Sequence, residues 1–177
     1  FSDWRADFFN NGSLSGAPVL SRNDRDVNFD FGAGSPDPRV PADNFSARWV
    51  RVINFTPGAY RFRIRVDDGA RVYVNGRLVI NAFVEGAPRV ITGDATVNGP
   101  AEVRVEYFDR SGGALVQFSY ETANTAFPDW KAEYFNNPNF SGSPVLVRND
   151  RDIDFVWALN APDAALPVDN FSVRWTR

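Results

Sequence analysis

The sequence predicts an all-β protein, an antiparallel β-sandwich or Greek-key barrel, carried in a tandem repeat. Three observations predict it. Apolar residues recur with period two along most of the chain, and no stretch shows a 3.6-residue period. Gly and Pro, 13 and 12 residues, punctuate the intervals between the alternating runs. The first 51 residues recur without a gap at a shift of 126 positions.

The elements follow in chain order. Val27, Phe29 and Phe31 alternate with Asp26, Asn28 and Asp30, which predicts a strand with one apolar face. Phe45, Ala47 and Trp49 alternate with Ser46 and Arg48 in the same way. Tyr60, Phe62, Ile64 and Val66 alternate with Arg61, Arg63 and Arg65, giving one apolar and one charged face. Acidic residues elsewhere offset that arginine stripe, so it reads as a solvated sheet face rather than a polyanion site. Val72 and Val74 alternate with Arg71, Tyr73 and Asn75, and Asn75-Gly76 is a tight-turn pair leading into Arg77–Ile80. Val103, Val105 and Tyr107 alternate with Arg104 and Glu106. A Thr-, Asn- and Pro-containing joint, Glu121 to Pro128, follows.

Aligning Phe1–Arg51 with Phe127–Arg177 gives 28 identities in 51 pairs, among them Trp4 with Trp130, Asp24 with Asp150 and Trp49 with Trp175. One complete domain is therefore expected at 1–124 and the N-terminal part of a second at 127–177. A unit of 51 residues is too small to close a core unaided. Its strands are expected to be completed by further chain or by a neighbouring copy. The chain contains no Met, so Phe1 is not a translation start; a fragment or processed piece is expected, with any signal peptide upstream.

Composition removes several kinds of chemistry. With no Cys there are no disulfides, thiolate nucleophiles or zinc–thiolate sites. With no His, the commonest general base and transition-metal ligand are missing, which leaves hard oxygen-ligand cations such as calcium. Lys+Arg 19 against Asp+Glu 22 argues against a nucleic-acid partner. No apolar run approaches the length of a membrane-spanning helix. Five Asn-x-Ser/Thr sequons, at Asn11, Asn44, Asn54, Asn139 and Asn170, read as chance or as loop structure.

Asp67-Asp68-Gly69 is the sharpest local feature, placed between two predicted strands. Adjacent carboxylates repel, and a bound cation would relieve that repulsion; alternatively one Asp fixes a turn in which Gly69 takes positive φ. The series Asp24, Asp26, Asn28, Asp30 lacks the mid-loop Gly and terminal Glu of a calcium loop, and it reads as the polar face of a strand. No spacing singles out an acid–base pair, a nucleophile or a phosphate loop, so no enzyme is expected.

Trp130-Lys131-Ala132-Glu133-Tyr134-Phe135, then Gly142–Leu146, Arg148-Asn149-Asp150 and Leu166–Trp175, together with the matching residues of the first copy, resemble the PA-14 family. Val66-Asp67-Asp68-Gly69, Val72–Gly76 and Val103–Tyr107 resemble that family's central hairpin and penultimate strand. The resemblance implies a β-barrel module of extracellular or cell-surface proteins. In the sugar-binding flocculin branch, a pair similar to Asp67-Asp68 holds calcium, often across a cis peptide, and the calcium meets sugar hydroxyls. A further ligand there comes from the loop after the penultimate strand, where Asp109 is the nearest positional match. The loop Asp109–Gly113 departs from that branch's Asn pattern. The expected function is non-catalytic carbohydrate binding or adhesion, with Asp67, Asp68 and Asp109 as calcium ligands and a glycan as partner. The alternative is a structural repeat of a surface array, stalk or filament, with neighbouring copies of the chain as partners.

Overall fold

A computed structural model describes residues 1–123 and 126–177. The chain divides into two compact units, Phe1–Ala123 and Asn124–Arg177. The joint expected from Glu121 to Pro128 contains residues 124 and 125, which lie outside the described residues.

Unit 1 holds ten strands: β1 (Trp4–Phe9), β2 (Leu20–Asp24), β3 (Asn28–Gly32), β4 (Phe45–Asn54), β5 (Gly58–Asp67), β6 (Gly69–Val74), β7 (Arg77–Ala82), β8 (Arg89–Val97), β9 (Pro100–Asp109) and β10 (Ala114–Thr122). They form two antiparallel sheets, ordered β2-β1-β4-β9-β6-β7 and β3-β10-β5-β8. Period-two alternation is what lets both sheets turn one apolar face inward. Phe62, Ile64 and Val66 from one sheet, and Trp49, Val105 and Tyr107 from the other, are fully buried in one core. The core is aromatic at its centre: the Trp49 ring meets Phe8 edge-on at 5.6 Å and stacks on Phe29 at 5.8 Å.

The outward faces take the alternate residues. Arg61 pairs with Asp94 at 2.9 and 3.1 Å, and Arg65 reaches Gln117, so the predicted arginine stripe lies on the outside of the second sheet. On the first sheet, Glu106 is buried beneath Arg48, Arg71 and Arg104, 2.8–3.4 Å away. β4 and β6 place Arg48 and Arg71 opposite Glu106, and Arg104 precedes it by two residues on β9, which satisfies Glu106 in a setting that would otherwise disfavour its charge.

The reading of Asp24 as one member of a polar strand face is corrected. The strand breaks after Asp24 and resumes at Asn28, and Asp24 turns inward, where it accepts from Trp49 Nε1 at 2.8 Å and Arg22 Nε at 2.7 Å. The sequons at Asn11 and Asn139 lie in loops. Asn11 Oδ1 accepts from the backbone N–H of Ser13 and Ser15, which holds the β1–β2 turn.

Unit 2 has β11 (Trp130–Phe135), β12 (Leu146–Asp150) and β13 (Ser172–Thr176), ordered β12-β11-β13. Its register repeats that of unit 1: Trp130 faces Asp150 as Trp4 faces Asp24, and Ala132 faces Trp175 as Ala6 faces Trp49. Trp175 Nε1 likewise donates to Asp150, at 2.9 Å. Its core is smaller, with Ala132, Tyr134 and Leu166 buried. Ile153 is 47% exposed, whereas its counterpart Val27 is 2% exposed, and Val156 and Leu159 stand almost fully in water. Among the described residues unit 2 contributes one sheet, so the face that β5 and β10 cover in unit 1 has no opposing layer within unit 2.

Candidate cation site

Three strand ends of unit 1 converge at one pole. β5 ends at Asp67, and β6 starts two residues later at Gly69, which pairs with Phe108 of β9. That register brings Asp68 beside Asp109, the last residue of β9. β10 and β4 close the pole, with Leu115 opposite Asp67 and Phe45 opposite Asp109. Residues 41 positions apart become neighbours because β6 and β9 share an antiparallel ladder.

The peptide between Asp67 and Asp68 is cis. Tyr107 Oη donates to the Asp67 carbonyl at 2.6 Å. Asp68 is 6% exposed; its Oδ1 accepts from Gly86 N at 3.2 Å and its Oδ2 from Arg110 N at 2.8 Å. Gly112 N donates to Asp43 Oδ1 at 2.9 Å, and Asn44 N to the Arg110 carbonyl at 3.2 Å, so the loop after β9 is tied to the chain before β4. Gly69 does not take the positive φ that a turn-only role for Asp67-Asp68-Gly69 predicts. It is glycine for want of space: a Cβ there would fall on the Phe108 ring and within 2.8 Å of Val84 N. Gly69→Ala is expected to destabilise unit 1 by about 1–3 kcal/mol, because backbone and a packed ring must both shift. A urea midpoint equal to wild type would contradict this.

Asp109 differs from its neighbours. It is fully buried, and both carboxylate oxygens are sealed from solvent without a hydrogen-bond partner. Burial foremost, then the charges of Asp68, Asp43 and Asp67, raise its pKa to about 6. Burial, then Asp68, raises the Asp67 carboxyl also, with Arg89 opposing. Tyr107 is pushed upward by burial and then by the carboxylates of Asp109, Asp68 and Asp67. The pole therefore gathers net negative charge. Among the described residues, no three acidic groups gather into a metal cluster by themselves. Asp68 spends an oxygen lone pair on each of two backbone amides, whereas both oxygens of Asp109 are buried and unengaged. The donor set fits a cation that takes further oxygens from main chain, water or ligand, as calcium does. It does not fit one that needs a closed cage of side chains.

The three residues read from the sequence are thus assembled at one pole. Asp43 and Tyr107 were not anticipated as part of it. The alternation at Val103–Tyr107 marks Tyr107 only as a core position, and Asp43 carries no local signal beyond its recurrence as Asp169.

Comparison with known proteins places this architecture. The anti-sigma-I factor RsgI3 of Acetivibrio thermocellus is 25% identical over 197 residues, covering 98% of this chain. The chain spans 30% of that relative's length. An anti-sigma factor domain-containing protein from Clostridium clariflavum superposes with a TM-score of 0.63 at 25% identity, over 99% of this chain and 68% of that one. A structure described as the PA14 sugar-binding domain from an RTX adhesin shares the fold, with a TM-score of 0.53 at 19% identity over 67% of this chain and 89% of its own. The PA14 domain model matches residues 5–125, the whole of the two-sheet unit apart from its first residues, and the chain belongs to the PA14 domain family.

Proposed function

We propose that the chain is a non-catalytic carbohydrate-recognition module of an extracellular or cell-surface protein, in which Asp67, Asp68 and Asp109 hold a calcium ion. The observation that carries this reading is Asp109: a buried carboxylate with both oxygens unpartnered, beside two further carboxylates, is costly unless a cation occupies the space. A calcium ion held there supplies a hard centre whose open positions accept sugar hydroxyls. The chain's residues do the rest. Asp68, fixed by Gly86 N and Arg110 N, sets the loop after β9 against the acid pair. Tyr107 anchors the main chain of Asp67. A relative described as a sugar-binding domain with this fold supports the ligand class.

Calcium titration by calorimetry tests the reading. Saturable binding by the whole chain is expected, with loss of at least about tenfold in affinity in Asp67→Asn/Asp68→Asn, because two anionic ligands become neutral. Far-UV circular dichroism of the variant checks that its sheets are intact. Equal binding in both proteins, or none in either, would sink the proposal.

A second reading concerns the setting of the module. Two relatives whose names mark them as anti-sigma factor proteins match 98–99% of this chain. Those matches support a role as the recognition portion of a larger regulatory protein. The same calcium-dependent sugar binding would then act as its input.

A further inference from the structure

The pole of unit 1 opposite the acid pair carries a groove. β4 runs past its last pairing with β1, Val50 with Arg5, on to Asn54. β10 likewise runs past its last pairing with β3, Gln117 with Asn28, on to Thr122. The two overrunning segments line one groove of about 400 Å³, together with Trp4 and Asp26. Depressions of about 310 and 240 Å³ adjoin it around Ser119, so the groove continues over β10 toward Arg63. From Phe45, which faces Asp109, to Asn54 is nine residues of β4, or about 30 Å of strand. The groove and the acid pair are separate sites.

Two features suit the groove to a ligand. Trp4 is 4% exposed, yet its indole N–H finds no acceptor among the described residues and is not sealed from solvent. Trp49 and Trp175 by contrast donate to Asp24 and Asp150. A buried ring whose N–H stays accessible keeps a donor free for an incoming hydroxyl oxygen. Tyr120 is 42% exposed, and its ring stands beside Phe118 at 6.3 Å, which gives the groove an aromatic surface. Around these lie an acceptor, Asp26, a donor, Arg51, and Asn54, which offers both.

We infer that this groove is a second saccharide site, binding a neutral oligosaccharide without a cation. Sugars present C–H faces that rest on aromatic rings, and hydroxyls that both donate and accept; the groove presents the complement of each. A polyanion fits less well: Asp26 lines the groove and Arg51 already lies 3.6 Å from Asp3, which leaves Arg63, on the continuation over β10, as the cation facing it. A peptide added as a strand fits less well too. Each free edge is about four residues long and offers roughly two main-chain bonds.

Affinity electrophoresis of the whole chain tests this, in excess EDTA, through gels holding barley β-glucan, galactomannan, xyloglucan or dextran. Retardation in at least one gel is expected in EDTA, and it should persist in Asp67→Asn/Asp68→Asn. That variant separates the groove from the cation site, so either proposal can fail alone. Trp4→Phe keeps an aromatic ring, though a smaller one, and removes the N–H, and should weaken binding about threefold to tenfold. Tyr120→Ala should weaken it about tenfold or more. Asn54→Ala, an exposed change outside the core, should also weaken it and guards against folding effects in the other two. No retardation in EDTA, or retardation unchanged in all three variants, overturns the inference. A concentration-dependent dimer abolished by Ser119→Pro would overturn it in favour of strand addition.

Discussion

Replacing Trp49 by Ala is expected to unfold unit 1 under conditions in which the wild-type unit is folded. Its ring is fully buried, packed against Phe8, Phe29 and Tyr107, and its N–H satisfies the buried Asp24 carboxylate at 2.8 Å. A buried Trp truncated to Ala costs about 3–5 kcal/mol. Leaving Asp24 short of a donor adds about 1–3 kcal/mol. That sum rivals the whole stability of an ordinary domain, about 5–15 kcal/mol. The repeat supplies an internal control. Trp175 occupies the same register in unit 2 and donates to Asp150, but it is only partly buried. Trp175→Ala should therefore cost distinctly less, since much of its surface is already in water. Urea unfolding followed by circular dichroism measures both. Equal losses would mean that Trp175 is as well covered in solution as Trp49.

Asp109→Asn is expected to act in opposite directions with and without calcium. Without a cation, wild-type Asp109 holds an ionised carboxylate in a sealed site at neutral pH. Its folded pKa of about 6 lies above the ordinary carboxylate value of 3.8, so the folded state binds the proton more tightly. Stability from this group is then full below about pH 4 and is lost as pH rises through 6. The loss is about 2–3 kcal/mol in all. Asn carries no charge, so in EDTA the variant should melt above wild type at pH 7.5, and the two should converge below about pH 4. With calcium, wild type should gain stability and the variant should not. Differential scanning calorimetry at both pH values, with and without calcium, reads all four arms. A variant that melts below wild type in EDTA at pH 7.5 would contradict the burial argument.

Much of the fold was legible because its signal is local. A strand with one buried face must alternate, and Tyr60–Val66 and Val103–Tyr107 do so over enough residues to be unambiguous. Asn75-Gly76 marked its own turn, and both residues take positive φ. The repeat was legible from identity alone, and it transferred a register: the pairing of Ala132 with Trp175 copies that of Ala6 with Trp49. Asp24 was misread because an inward Asp and an outward Asp look alike in a sequence. What distinguishes them is the indole N–H of Trp49, 25 residues away.

The all-β class, the repeat of the first 51 residues, the lack of Cys and His, and the acid pair at the end of a strand can be read along the chain. Those follow from residue type and spacing along one chain. Strand pairing is what sets Asp109 beside Asp68, brings Asp43 and Tyr107 to the same pole, and places Trp4 on a groove wall with its N–H unused. The reason is physical. Charge in water is cheap, and the same charge sealed beneath a sheet is not. Whether a carboxylate is sealed, or an indole keeps its N–H open, depends on which strands close over it, and that is set by pairings between β6 and β9 and between β4 and β1 that no local pattern records.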